Sequence, residues 1–201
     1  SMMPAIINTI VMTFVTLLFA VPVGVFSAIY LVEYAKRGNR LVSIVRITAE
    51  TLTGIPSIVY GLFGFLLFAV ALGWSYTILG GAMTLAIMIL PTIIGPTESA
   101  LRSVPESYYE GSLALGATKE RSIFVVMLPA AKSGILAAVV LGIGRAIGET
   151  MAVVMVAGNQ PRMPQGILKG VRTMTANIVT EMGYATGLHR EALIATAVVL
   201  F

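Results

Sequence analysis

The chain has 201 residues, of which 57% are hydrophobic and only 11% charged, with a formal net charge of +4 and a mean hydropathy of +0.93. A soluble domain carries roughly 25% charged residues and has no interior large enough for so much apolar surface, so lipid must solvate most of this chain. With no cysteine and a single histidine, His189, disulfide frameworks, thiolate or histidine-rich metal sites and cysteine nucleophiles are excluded.

In chain order, four apolar runs reach the roughly 20 residues that span a ~30 Å hydrocarbon layer: Ala5–Val32, Ile47–Leu72, Tyr76–Gly95 and Ala131–Gly158. A fifth starts near Ala192 and stops at Phe201, too short to cross. The chain begins Ser1-Met-Met and stops inside that apolar run, so it reads as one transmembrane domain over 1–201, truncated at one or both ends. The first run is too long and lacks the basic front of a cleavable signal peptide. The second is broken by Gly54-Ile-Pro56-Ser57, followed by Gly61 and Gly64. Proline removes a helical hydrogen bond and glycine admits close backbone approach, which fits a kinked packing seam or unwound backbone lining a path. Pro91 and Pro96, flanking Gly95, are expected to end the third run.

Loop charges set the orientation. Lys36, Arg37, Arg40 and Arg46 lie in or beside the first loop, and Arg102, Lys119, Arg121 and Lys132 in or beside the insert after the third run. Arg162, Lys169, Arg172 and Arg190 follow the fourth run. Eight cations against four place the first two segments in the cytoplasm and the stretch after Gly158 outside. The insert itself reads as a helix-turn-helix. Ser103 and Glu106 stand in capping-box relation with Pro105 in the first turn, Gly116 is placed to end the helix, Thr118 to cap the next, and Pro129 to close or kink it.

A second polar constellation lies half-way along the fourth run, at Gly142-Ile-Gly144-Arg145-Ala-Ile-Gly148-Glu149-Thr150. Buried charge there costs from roughly 3 to more than 10 kcal/mol and must be offset. Arg145 and Glu149, four apart, share a helical face and can pair; Gly144 and Gly148 would admit a partner helix. Either the pair fixes packing, or the guanidinium offers its planar fork of donors to a passing oxyanion. Thr53, Ser57 and Thr150 carry hydroxyls that either donate to such an anion or bond back to their own carbonyls. Glu50 reads as a helix-end partner of Arg46. Glu98, Arg102 and Glu106 read as a solvated face or a contact to a soluble partner, and His189 as interfacial. No phosphate-binding loop of the G-x-x-x-x-G-K-[ST] type occurs, so nucleotide hydrolysis is not expected of this chain, and nothing points to nucleic acid.

Glu110-Gly111-Ser112, three residues, Gly116, nine residues and Val126-Met-Leu-Pro129 resemble the EAA loop that ABC importer permeases dock into their ATPase subunit. Together with Glu33-Tyr-Ala-Lys36, Gly54-Ile-Pro-Ser-Ile-Val-Tyr-Gly-Leu-Phe-Gly64, Ala114-Leu-Gly-Ala-Thr118, Gly144-Arg-Ala-Ile-Gly-Glu-Thr150 and Thr173-Met-Thr-Ala-Asn177, the chain is similar to the PstA/PstC-type permeases of phosphate ABC transporters.

The resemblance implies an all-α polytopic bundle with a MetI-like core, in a bacterial or archaeal cytoplasmic membrane, that is a transport subunit rather than an enzyme and needs no cofactor or metal. It implies as partners an ATPase dimer, a second permease subunit and an extracytoplasmic phosphate-binding protein. Segment 103–129 becomes the cytoplasmic coupling loop, with Glu106, Glu110, Gly111, Ser112 and Gly116 facing the ATPase. Arg145, Glu149, Thr150 and Ser57 become the substrate pathway. Sulfate or molybdate import is the neighbouring possibility within the class, and a secondary anion transporter the one outside it; the EAA-like insert argues against the latter.

Overall fold

In a computed structural model that describes residues 2–201, the protein is built from helices, with one isolated parallel bridge between Gly158 and Val171 among the described residues. The helices are α1 (Met3–Ile29), α2 (Arg40–Gly54), α3 (Ser57–Gly64), α4 (Ile78–Arg102), α5 (Glu106–Ala114), α6 (Lys119–Arg121), α7 (Leu128–Ala130), α8 (Lys132–Gly148), α9 (Met151–Val156), α10 (Met174–Met182) and α11 (Gly187–Leu200). Three wider-wound π-helical stretches, Tyr30–Tyr34, Phe65–Ala71 and Ser122–Met127, extend α1, α3 and α6. Two helices, Met3–Tyr34 and Ile78–Arg102, are by themselves long and apolar enough to cross a membrane; two interrupted pairs, Arg40–Ala71 and Lys119–Gly148, pass the same test only when each is taken as one span.

Several expected boundaries move. The third span runs through Pro91 and Pro96 to Arg102; a membrane helix tolerates proline where neighbouring groups take over the freed carbonyls. The fourth span is not continuous to Gly158: α8 ends at Gly148, and Glu149-Thr150 link it to the short α9. Its start is bent too, by 69° between 119–130 and 132–148, beside Pro129. The second span breaks at Gly54-Ile-Pro56 as its sequence predicts, but none of the fifteen residues of α2 is buried.

The chain forms two compact units. The first comprises residues 1–19, 55–88 and 143–201, the second residues 20–54 and 89–142. In the first unit, α3 packs on α9 because Gly61 has no side chain: a Cβ there would lie 2.9 Å from the Met155 side chain and 3.0 Å from Ala152 Cα. The core around them holds Leu85, Ala152, Val153 and Val156, each at most 2% exposed. Residues 159–173 of this unit are pinned by Asn8, whose Nδ2 donates to the carbonyls of Arg162 (2.8 Å) and Arg172 (3.0 Å). The second unit is centred on Ile29, Leu101, Ile123 and Ala131, with Val25, Val32, Val104, Tyr109 and Leu128 packed around them.

Candidate functional site: a capped helix-turn-helix and a broken-helix junction

The polar insert lies in the second unit and is built by local rules. α5 stops where the sequence predicts. Gly116, at φ +87°, donates its N–H to Leu113 O (2.9 Å), and the Ala117 N–H reaches Ser112 O (3.1 Å). That is the paired reverse hydrogen bonding of a glycine-terminated helix, and it satisfies carbonyls the helix would otherwise leave open. Thr118 then caps α6, its Oγ1 accepting from the Arg121 N–H at 3.3 Å.

The expected capping box at the other end does not form. Ser103 Oγ donates to Ala100 O (2.7 Å), completing the last turn of α4, and Pro105 occupies the cap position of α5 without a side-chain bond.

A hydroxyl–hydroxyl contact joins the arms of the insert. Ser112 Oγ lies 2.6 Å from Ser122 Oγ, and Ser122, fully buried, also donates to Thr118 O (3.0 Å). Tyr109 carries α5 onto the buried cluster of the unit, and Lys119 Nζ sits 4.6 Å from the Tyr34 ring. The outer surface bears Glu106, Glu110 and Gly111, all exposed, and a Cβ at Gly111 would meet nothing within 4 Å. It also bears Leu115, 91% exposed, and Tyr108, 51% exposed. Sequence reasoning passed over Leu115. The available signal was an apolar residue immediately before the helix-ending glycine, a position that cannot pack back onto its own helix.

Charges flanking the insert depart from expectation. Arg46 does not pair with Glu50; its Nη2 lies 2.5 Å from Glu98 Oε1, which Arg102 shares at 2.9 Å. Glu98 is therefore no solvated face. Its side chain is 13% exposed between two guanidinium groups.

The candidate pathway residues lie in the first unit, around two helix breaks. Ser57 opens α3 after Pro56, and one turn later Tyr60 is buried. Arg145 sits in the last turn of α8 with its side chain exposed, and its charge acts on Tyr60. The same-face relation between Arg145 and Glu149 fails because α8 ends one residue before Glu149. Instead Glu149 Oε1 accepts from the Ala152 N–H (3.2 Å) at the start of α9, and its main-chain oxygen accepts from Thr175 Oγ1 (2.9 Å). Thr150 Oγ1 turns back to Gly148 O (3.3 Å), and Thr53 Oγ1 to Glu50 O (2.6 Å). Gly144 and Gly148 have open space where a Cβ would stand; the tight glycines of α8 are Gly134, 2.4 Å from Ala100 Cβ, and Gly142, 3.1 Å from Ile93 Cγ1.

Arg162 and Arg172, two of the four Lys and Arg residues after Gly158, hold structure together. Arg162 Nε donates to Gly170 O (3.1 Å). Arg172 Nε donates to Asn159 O (3.1 Å), while its Nη1 bonds Asn177 Oδ1 (3.2 Å) and pairs with Glu181. His189 Nε2 lies 2.7 Å from the other Glu181 oxygen. The first hold on Glu181 is this His189 bond; burial pulls the other way, Arg172 adds to the His189 effect, and the carboxyl ends up below its usual range.

Comparison with known proteins agrees with this architecture. The chain is 39% identical over 157 residues to the probable ABC transporter permease protein YqgI of Bacillus subtilis (strain 168), covering 78% of this chain and 53% of that protein. It is 32% identical over 221 residues to the phosphate transport system permease protein PstC of Pasteurella multocida (strain Pm70), covering 98% and 68%. To phosphate transport system permease protein PstA 1 of Mycobacterium tuberculosis (strain CDC 1551 / Oshkosh) it is 36% identical over 154 residues, covering 77% and 50%. The chain thus spans about half to two thirds of the length of these relatives. A structure titled "Inward facing conformations of the MetNI methionine ABC transporter" superposes with a TM-score of 0.72 at 21% identity, over 99% of this chain and 85% of that one, which shows a shared fold. Residues 20–201 match the family described as "Binding-protein-dependent transport system inner membrane component", and the chain belongs to that family of multi-pass membrane permeases.

Proposed function

We propose that this chain is the core of a permease subunit of a phosphate ABC importer, driven by a separate ATPase that docks on residues 103–129. The observation that carries the reading is the capped helix-turn-helix. Its turn is closed by hydrogen bonds at Gly116 and Thr118, its arms are joined through Ser112 and Ser122, and it presents Glu106, Glu110 and Leu115 outward. A stiff element with an exposed apolar anchor suits a lever that passes nucleotide-driven motion to the spans. A second permease subunit and an extracytoplasmic binding protein complete the assembly, as the family description and the names of the phosphate relatives suggest.

Phosphate as cargo is supported by those names and by the junction of α3, α8 and α9. Interrupted helices with free polar termini at membrane depth are where transporters place anionic groups. Arg145, exposed at the end of α8, is the residue assigned to the anion, its planar donor fork matching tetrahedral oxygens. Ser57 opens α3, and Glu149 and Thr150 form the link between α8 and α9 that follows Arg145.

The test is phosphate uptake by the native complex in vesicles, normalised to inserted permease. Arg145→Gln should abolish uptake, and Arg145→Lys should recover little because it keeps the charge without the fork. Near-normal uptake by Arg145→Gln overturns the assignment.

A further inference from the structure

We infer that the loop before α2 and the first turns of α2 form a binding site for an anionic glycerophospholipid, a reading that rests on membrane placement and not on the cargo. An open cavity of about 720 Å³ in the second unit is bounded by five cations, Lys36, Arg37, Arg40, Arg46 and Arg102, and its described lining holds no carboxylate. Glu98 lies behind Arg46 and Arg102 and is shared between them; their side chains remain 41% and 54% exposed. Lys36, Arg37 and Arg40 are exposed. Asn39 Oδ1 caps the first turn of α2 by accepting from the Leu41 N–H at 3.0 Å, which holds the loop in shape without a ligand.

The cavity sits where headgroups sit. Leu31 and Val32 on its wall belong to the last turn of the span Met3–Tyr34, Ala35 follows it, and Arg102 is the last residue of the span Ile78–Arg102. Two apolar helices end there, so the cations lie at the hydrocarbon boundary, where a polybasic cluster gains about 1 kcal/mol per cation from anionic lipid.

Leu31 is shared with a second opening of about 350 Å³ formed by Phe26, Ser27, Tyr30, Leu31 and Val45. In that groove Phe26 is 60% and Tyr30 44% exposed. It offers an apolar track one turn deeper along α1, suited to an acyl chain and useless to a small hydrophilic anion. α2 completes the site: no residue of it is buried, and Leu41, Ile44 and Val45, all exposed, recur at i, i+3 and i+4. That pattern, with Arg40 and Arg46 beside it, is that of a helix lying in the membrane interface.

The experiment titrates the intact permease–ATPase complex in detergent with phosphatidylglycerol or phosphatidylcholine and counts bound lipid by native mass spectrometry. The parent should retain phosphatidylglycerol preferentially, and millimolar inorganic phosphate or water-soluble glycerophosphoglycerol should not displace it. Combining Lys36→Gln, Arg37→Gln and Arg40→Gln should weaken phosphatidylglycerol binding on the order of 100-fold, about five-fold per cation. Val45→Glu, which sets a carboxylate at the groove, should weaken it by at least about ten-fold, since one 1.4 kcal/mol change gives that factor.

Equal retention of both lipids, or unchanged binding by the triple variant, overturns the proposal. Displacement by inorganic phosphate would mark an open anion site instead of a lipid site. Binding seen only after the ATPase is stripped away would make this face part of the ATPase interface, and would equally overturn it.

Discussion

Gly64 is the position where the packing argument is most exposed to measurement. A Cβ at this residue would stand 2.1 Å from Thr84 Oγ1, 2.8 Å from its Cγ2 and 3.0 Å from its Cβ. Thr84 is 1% exposed, and its Oγ1 is held to Gly80 O at 2.8 Å. A branched side chain fixed at χ1 cannot swing aside without breaking that bond. Gly64→Ala therefore incurs an overpacking cost near the top of the usual range, about 3 kcal/mol, offset by about 1 kcal/mol from alanine's better helix propensity. The net is about 2 kcal/mol, or roughly 4–8 °C in Tm for a protein of this size. Thr84→Ala removes the two closest atoms, so in that background Gly64→Ala should cost less than about 0.5 kcal/mol. Denaturant titration in mixed micelles of the parent, both single variants and the double variant measures the cycle. An equal cost of Gly64→Ala in both backgrounds refutes the claim that this contact sets the separation of α3 from α4.

Gly116 takes a left-handed backbone with open space around it, so Gly116→Ala should cost about 1–2 kcal/mol by conformation alone, while Gly116→Asn should retain most transport-coupled ATPase activity; equal behaviour of the two would contradict the assigned cap. Leu115→Asp should leave permease stability unchanged, because the side chain is 91% exposed, yet weaken ATPase association by roughly 10- to 150-fold, the equivalent of burying one leucine at about 1.5–3 kcal/mol; a pull-down titration reading unchanged affinity would remove Leu115 from the interface. Glu181 binds its proton less readily folded than unfolded, so its contribution is fully present above the unfolded carboxyl value of about 4.3 and is lost as pH falls through the lower folded value. Protection against amide exchange in α10 and α11, taken relative to the intrinsic rate at each pH, should fall below about pH 4.3, and Glu181→Gln should flatten that response; an unchanged pH profile in the variant would contradict the Arg172–Glu181–His189 clamp.

Where local chemistry governs, the sequence already carried the answer. The stop at Gly116, the cap at Thr118 and the break at Gly54–Pro56 each follow from one residue's backbone preference, and each appears at its expected place. Ser103 misled because its hydroxyl, expected to accept from an N–H at the start of α5, instead donates to the Ala100 carbonyl at the end of α4. Charge pairing was the least legible level. Spacing of four favoured Arg46 with Glu50 and Arg145 with Glu149, but Glu98, 52 residues away, took Arg46, and the end of α8 at Gly148 turned Glu149 toward α9. Tertiary approach decides such pairs, and one-dimensional periodicity does not encode it. The glycines of α8 make the same point: all share the small-residue signal, yet Gly134 and Gly142 meet neighbours while Gly144 and Gly148 do not. Among the proposed pathway residues, Arg145 and Glu149 were singled out by the cost of charge in lipid, Thr150 by its hydroxyl, and Ser57 by its hydroxyl beside the helix-breaking proline, whereas the structural use of Arg162 and Arg172 became visible only from the carbonyls they hold.

The central claim is that residues 103–129 transmit ATP hydrolysis by a partner subunit into movement of phosphate. The most direct measurement reconstitutes the native permease with its ATPase and phosphate-loaded binding protein in vesicles, and follows phosphate entry and ATP hydrolysis together in the parent and in Glu110→Lys. The account predicts that the parent couples the two and that Glu110→Lys inserts normally but loses both uptake and phosphate-stimulated hydrolysis. Full uptake by Glu110→Lys, or phosphate entry that proceeds without ATP, would contradict it.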